Sequence, residues 1–223
     1  MPKYTLPLSN TLYQRNLNSY LSFAKDNIAS IKQKHEEFIS RLSQGEEKDD
    51  WLEEANHHAN IEWLFLNSIF VTMYSSFEHF LMKVATTLER QPNIKIKLTH
   101  ISGRGILEKY TNYLYLVGGL ESADKEKAYW TRLPHYQKTR NLLAHNGGMI
   151  LDDTKKDIKE NKLYKFLKQQ DVALPGNLGL IRIVGTKILE SFIKDTTFIT
   201  NNILQEFNEK YKPEIEGEEN NLI

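Results

Sequence analysis

The chain has 223 residues, with 29 Lys plus Arg balanced by 29 Asp plus Glu, so a broad cationic footprint for nucleic acid is absent. That excludes a sequence-independent DNA coat protein and leaves room only for a small local basic site. A hydrophobic fraction of 40% with 11% aromatics supplies a real core and argues against disorder, and the lack of cysteine rules out disulfide scaffolds, Cys-based zinc sites and thiol catalysis.

The first twenty residues lack the charged and apolar regions of a signal peptide. Residues 10–42 read as one long helix, because Leu12, Leu17, Tyr20, Leu21, Ala24, Ile28 and Ile31 recur at three and four. Pro7 precedes it and Gly45 follows. A second long helix spans 48–89, with a polar first part and an apolar stripe of Leu66, Ile69, Phe70, Met73, Phe77, Phe80, Leu81 and Val84, stopped by Pro92. Its most apolar stretch, 63–77, contains Asn67, Ser68, Thr72, Ser75 and Ser76. It is too short and too polar to cross a bilayer, so it reads as a core helix.

A linker, IKIKLTHISGRG, leads to a third helix over 105–117 and a fourth over 123–145, the latter stopped by Asn146-Gly147-Gly148. A short helix is expected over 154–169, a small hairpin over 171–184 around Pro-Gly-Asn, and a last helix over 187–210. No internal repeat or low-complexity tract is visible. The expected fold is all-α: an antiparallel helix bundle with long N-terminal helices and a minor β-hairpin. The expected organisation is an N-terminal helical arm (1–47), a helical bundle (48–212) and an acidic tail (213–223). The arm packs on the bundle or on a second subunit.

The segment RNLLAH, from Arg140 to His145, carries the candidate chemistry. On the fourth helix Tyr129, Trp130, Leu133, Leu143 and Ala144 share one side, and Arg140 falls about 20° from Leu133 at about 100° per residue. A guanidinium on an apolar face needs an acid, a bound anion or water. His145 lies five residues on, about 140° around the helix and about 7.5 Å along it. One chain converges both on a small ligand only with difficulty, whereas a twofold axis brings two Arg and two His into one groove. Arg with His, without metal, suits phosphodiester cleavage in RNA. His is a general base or acid near neutral pH, Arg holds and neutralises the phosphate, and the 2′-hydroxyl is the nucleophile. A 2′,3′-cyclic phosphate and a 5′-hydroxyl would result. Asn141 can donate to phosphate or sugar. The same six residues also admit a structural reading: His at a helix C-terminus, Asn-Gly-Gly as a cap, Arg paired with a core Glu. No other Arg in the chain is followed by His at five to seven residues.

RNLLAHN resembles the Arg-Asn-x-x-x-His signature of HEPN (higher eukaryote and prokaryote nucleotide-binding) domains. MYSSFEHFLMKV, 73–84, is similar to the aromatic-and-Glu core helix of HEPN nucleases, and GRGILEKYTNYLYLVGG, 103–119, to the short helix before the motif helix. The resemblance covers roughly 61–148. It implies an all-helical bundle dimerising through the motif helix and a metal-independent endoribonuclease of toxin–antitoxin or antiphage systems, with an antitoxin or defence-complex partner. By the same resemblance Arg140, Asn141 and His145 are the motif positions and no cofactor is required. Some HEPN toxins carry a Tyr, modified with AMP, two residues after the His. Gly147 stands here, which argues against that control. The alternative is a non-catalytic HEPN-like module that scaffolds a partner protein or nucleotide. Either way the expected setting is cytoplasmic, with no membrane.

Supporting positions are fewer. Glu78, at the edge of its helix's apolar stripe, is the obvious partner for Arg140. Arg104 and Lys109 lie near a helix start that favours anions, against the plainer reading of a solvated basic turn. Lys138 precedes the motif by two residues and could face the groove. Glu54, His58 and Glu62 have the four-residue spacing of helical metal ligands, but nothing completes such a site and a polar helix face reads better. No metal site is therefore expected. His79 and His135 are isolated and read as structural, and no Gly-rich phosphate loop or Ser/His/Asp set is present.

Overall fold

The computed structural model describes residues 6–43, 48–151 and 157–211, with side chains throughout except at residues 42 and 48–59. The chain forms helices α1 (Leu6–Ser43), α2 (Lys48–Glu89), α3 (Ile106–Asn112), α4 (Leu133–His145), α5 (Lys162–Lys168) and α6 (Lys187–Tyr211). Strands β1 (Val172–Ala173) and β2 (Arg182–Ile183) precede α6. It is an all-α fold with a minor antiparallel hairpin, in the register Val172↔Ile183 and Ala173↔Arg182. No described helix is long and apolar enough to cross a membrane.

The two long helices pair because each carries an apolar stripe that water disfavours. Tyr13, Leu17, Ala24 and Ile28 form the buried stripe of α1. Tyr13 packs on Phe77 and Phe80, and ten residues later Phe23 packs on Phe65, so α1 and α2 run antiparallel. α1 is also antiparallel to α6. Asn10 and Gln14 donate to Asn201, Tyr13 donates to Thr196, and Lys25 pairs with Glu190 at 2.8 Å. The first helix thus enters the bundle core along much of its length. The proposed acidic tail lies outside the described residues.

Phe192 of α6 is the hub where α2 and α4 meet α6. Its ring packs against Phe70, Tyr74 and Phe77 of α2 and Tyr136 of α4, at centroid distances between 5.3 and 6.2 Å. Tyr136 donates to Asp195, which also pairs with Arg132 at 3.1 Å. Phe166 of α5 closes this side against Tyr136, with His135 stacked on it. His135 is therefore a packing residue, and burial first, then Lys138 and Lys162, push its pKa down.

Three expected elements are corrected. The fourth helix begins at Leu133, not at 123. Pro134 fits only its first turn, having no N–H and a fixed φ. The stretch before it folds as two short 3-10 turns, and Tyr129 and Trp130 lie on or beside them rather than on the α4 wheel. A tertiary bond set holds this path: the Glu206 carboxylate accepts from the backbone of Glu121 and Ser122, and Trp130 donates to the Ser122 carbonyl. The third helix is α-helical only to Asn112 and widens into a π turn over Tyr113–Val117. Gly118 follows, where a Cβ would lie 2.6 Å from both the Leu114 carbonyl oxygen and Leu88. The expected helix over 154–169 begins later. Asn161 caps α5 by accepting from Leu163 N–H, and residues 154–156 lie outside the described ones.

Asn67 ties the hairpin to α2. Its amide donates to Ile181 C=O at 3.0 Å and its oxygen accepts from Ile183 N–H at 3.1 Å. Both bonds are buried, so losing them strands two backbone groups. Asn67→Ala is expected to cost about 1–3 kcal/mol, read as a lower urea midpoint at unchanged slope, with faster hydrogen exchange at the Ile183 amide. An unchanged midpoint would mean that Asn67 does not clamp the hairpin to α2.

Candidate active site on the motif helix

The face of α4 that meets α2 carries Leu133, Tyr136 and Thr139, all buried, and then Arg140 one turn past Tyr136. Opposite lie Tyr74 and Glu78 of α2, one turn apart and so on one face. The Arg140 guanidinium fits this pair. Its Nη2 donates to the Glu78 carboxylate in a short ion pair, and its Cζ stands 5.0 Å from the Tyr74 ring centroid. The side chains are 17% and 10% exposed for Arg140 and Glu78, so the pair is largely out of water. Nη1 donates to Asn141 Oδ1 at 2.9 Å, and Nε is buried without a partner.

This arrangement orients the guanidinium from three sides: carboxylate, ring face and neighbouring carboxamide. Burial raises the Glu78 carboxyl above its ordinary value, and Arg140 pulls it back only in part. The Tyr74 hydroxyl is raised by burial and by Glu78, against Arg140, and it has no hydrogen-bond partner.

Asn141, Lys138 and His145 are all exposed. His145 is the last residue of α4, and among the described residues its side chain makes no hydrogen bond or ion pair. The helix stops there because Gly147 and Gly148 take positive φ, 57° and 78°, while the amides of Asn146 and Gly148 satisfy the Leu142 carbonyl. The Gly148 carbonyl then accepts from Ile181, which docks the exit of α4 on the hairpin.

A groove of about 410 Å³ opens between α4, the start of α3 and the preceding turns. Asn141 and Arg104 both line it, with Gln137 and Lys125. Lys109 and Lys138 do not. A second groove, of about 480 Å³, runs between α2 and the end of α4, lined by Trp63, Leu64, Asn67, Leu143, Ala144 and Gly147 among others.

Of the residues singled out from sequence, the fold joins Arg140 to Glu78 and Asn141, and brings Asn141 and Arg104 to one groove. Lys138 is not drawn in, and His145 stays at the open helix end. Glu54 and His58 lie outside the side chains described. Among the described residues no group of His, Asp and Glu is placed to hold a metal. Sequence reading missed Tyr74 as a partner of Arg140, although its position one turn before Glu78 was the available signal. It also missed Gln137, one turn before Asn141. The chain matches no protein-family model, no curated protein and no solved structure.

Because the native state holds a proton on Glu78 more readily than the unfolded chain, its contribution to stability is full at low pH. That contribution is lost as pH rises through the native value. The stability of wild type relative to Glu78→Gln is thus expected to fall as pH rises above about 4.3, where free Glu titrates. Urea titrations at several pH values check this, and a difference that grows with pH would mean the Arg140 attraction outweighs burial. Glu78→Ala, which leaves a largely buried guanidinium unpaired, is expected to cost about 3 kcal/mol.

Proposed function

We propose that the protein is an endoribonuclease of the HEPN type, cleaving RNA by 2′-hydroxyl attack on the adjacent phosphate, with Arg140 and His145 as its catalytic residues. The observation that carries this reading is the guanidinium of Arg140, held by Glu78 and Tyr74 one residue from an exposed Asn141 and five from an exposed His145. His145 takes the 2′-hydroxyl proton or returns one to the leaving 5′-oxygen. Arg140 stabilises the charge that builds on the phosphorus oxygens, the incoming phosphate replacing Asn141 Oδ1 at Nη1. Asn141 then donates to phosphate or sugar. Glu78 acts as a positioning residue. The nucleophile is supplied by RNA itself, so the step needs no metal-bound water.

The five-residue spacing on α4 separates Arg140 from His145 by about 140°. We therefore place the working site across a homodimer axis, the Arg140 of one chain serving with the His145 of the other. Exposed Leu64 and exposed Ala144, both lining the second groove, give that face apolar area to bury. A defence or toxin role, with an antitoxin or other partner, a cytoplasmic setting and no bound cofactor belong to the same proposal.

One observation favours the alternative of a non-catalytic binding module: both terminal nitrogens of Arg140 already have protein partners. The two readings separate cleanly. Purified protein incubated with total RNA and EDTA is expected to cut it, and Arg140→Ala and His145→Ala each to slow cutting by at least about a hundredfold. Mixing the two inactive variants one to one is expected to restore about a quarter of wild-type activity, since half the dimers are mixed and each has one intact composite site. Cleavage that survives both substitutions, or none by antitoxin-free wild type, selects the binding module. Failure of complementation with both single variants inactive returns the site to one chain.

A further inference from the structure

We infer that the groove beside Asn141 is a nucleotide-binding subsite, taking the RNA residue that flanks the scissile phosphate. Its direction along the strand rests on the ribonuclease reading, but its chemistry does not. The groove is about 410 Å³, within the size range of small-ligand clefts. Its wall is apolar, from Leu107, Trp130, Leu133 and Pro134, which suits the face of a base. Its floor presents two carboxamides one helical turn apart, Gln137 and Asn141. The Asn141 NH2 is a donor whether or not Arg140 holds its oxygen, and the Gln137 side chain makes no hydrogen bond among the described residues. The Gln137 amide, donor and acceptor at once, matches the mixed edge of a nucleobase, and the Asn141 NH2 matches the sugar or phosphate beside it.

The rim is charged. Arg104 and Lys125 are exposed on it, with Glu108 between them. Glu108 accepts from the Arg104 backbone N–H at 2.7 Å and from Lys125 Nζ at 3.0 Å, and these bonds hold its carboxyl below the usual range. The carboxylate opposes an incoming anion. Two cations against one carboxylate leave a net single positive charge, the complement of one phosphodiester. Asn141 is the link between this groove and Arg140, since it lines the one and accepts from the other.

The test uses the full chain and a fluorescent ten-nucleotide RNA of mixed sequence, 2′-O-methylated throughout, which has no nucleophile and so reports binding alone. Anisotropy is expected to show binding by wild type, about threefold weakening in each of Arg104→Ala and Lys125→Ala, and about threefold tightening in Glu108→Gln. Opposite signs from neighbouring residues cannot come from general loss of fold. On cleavable RNA, Gln137→Ala is expected to broaden the base distribution next to the cut. No binding by wild type, or affinity indifferent to all three charge variants, overturns the subsite. So does displacement of the RNA by a polyglutamate peptide as effective as unlabelled RNA, which would assign the groove to an acidic protein. If the binding pattern holds while no cleavage is found, the ribonuclease reading falls and the subsite stands. If cleavage holds with binding and cut-site distribution unmoved, the subsite falls alone.

Discussion

A guanidinium on the inner face of a helix cannot be left without a countercharge, and in this fold the contact between α2 and α4 is organised around that requirement. Arg140 reaches the carboxylate of Glu78 and the ring of Tyr74, which α2 presents one turn apart. Desolvating two charges costs about as much as their attraction returns, so such a pair adds little net stability, whereas breaking it is expensive. Its main effect is on geometry. Rotating or sliding α4 would leave both charges uncompensated, so the helix has one azimuth. At that azimuth Asn141 faces the groove toward α3 and His145 stands exposed at the helix end.

The aromatic packing around Phe192 supplies the stiffness on which this orientation depends. Rings from α2 and α4 meet that one side chain, and dense interiors resist small displacements. The exit of α4 is held as well. Two left-handed glycines turn the chain, and the Gly148 carbonyl receives Ile181, which Asn67 in turn anchors to α2. The small hairpin is thus a brace for the C-terminal end of the motif helix, the end that carries His145.

Several features were legible in the residues alone because they are local. The stripes of α1 and α2 follow the helical period over many turns, so their existence needs no tertiary information. Pro-Gly-Asn marked the hairpin, and Asn-Gly-Gly the stop of α4. Glu78 was legible as a partner for Arg140 because each was a charge on an apolar face. The start of α4 was not. Residues 123–132 carry helix-compatible side chains, but the Glu206 carboxylate, distant in sequence, captures the amides of Glu121 and Ser122 just before them, and Tyr129 and Trp130 donate to the Ser122 carbonyl, so the stretch folds as turns instead. The widening of the third helix after Asn112 likewise answers to packing, with Gly118 close against Leu88.

By itself, then, the sequence determined an all-helical chain with one hairpin, a buried charge on its motif helix and the residue that would answer it. These follow from periodicity, from the conformational limits of Pro and Gly, and from the cost of burying an ion. Only the tertiary structure decided that Tyr74 shares the guanidinium, that Asn141 and Arg104 border one groove while Lys138 stands apart, and that Gln137 joins them. Those facts depend on which faces of separate helices meet. Contacts between helices far apart in the chain are set by the packing of the whole core, and no local pattern carries that information.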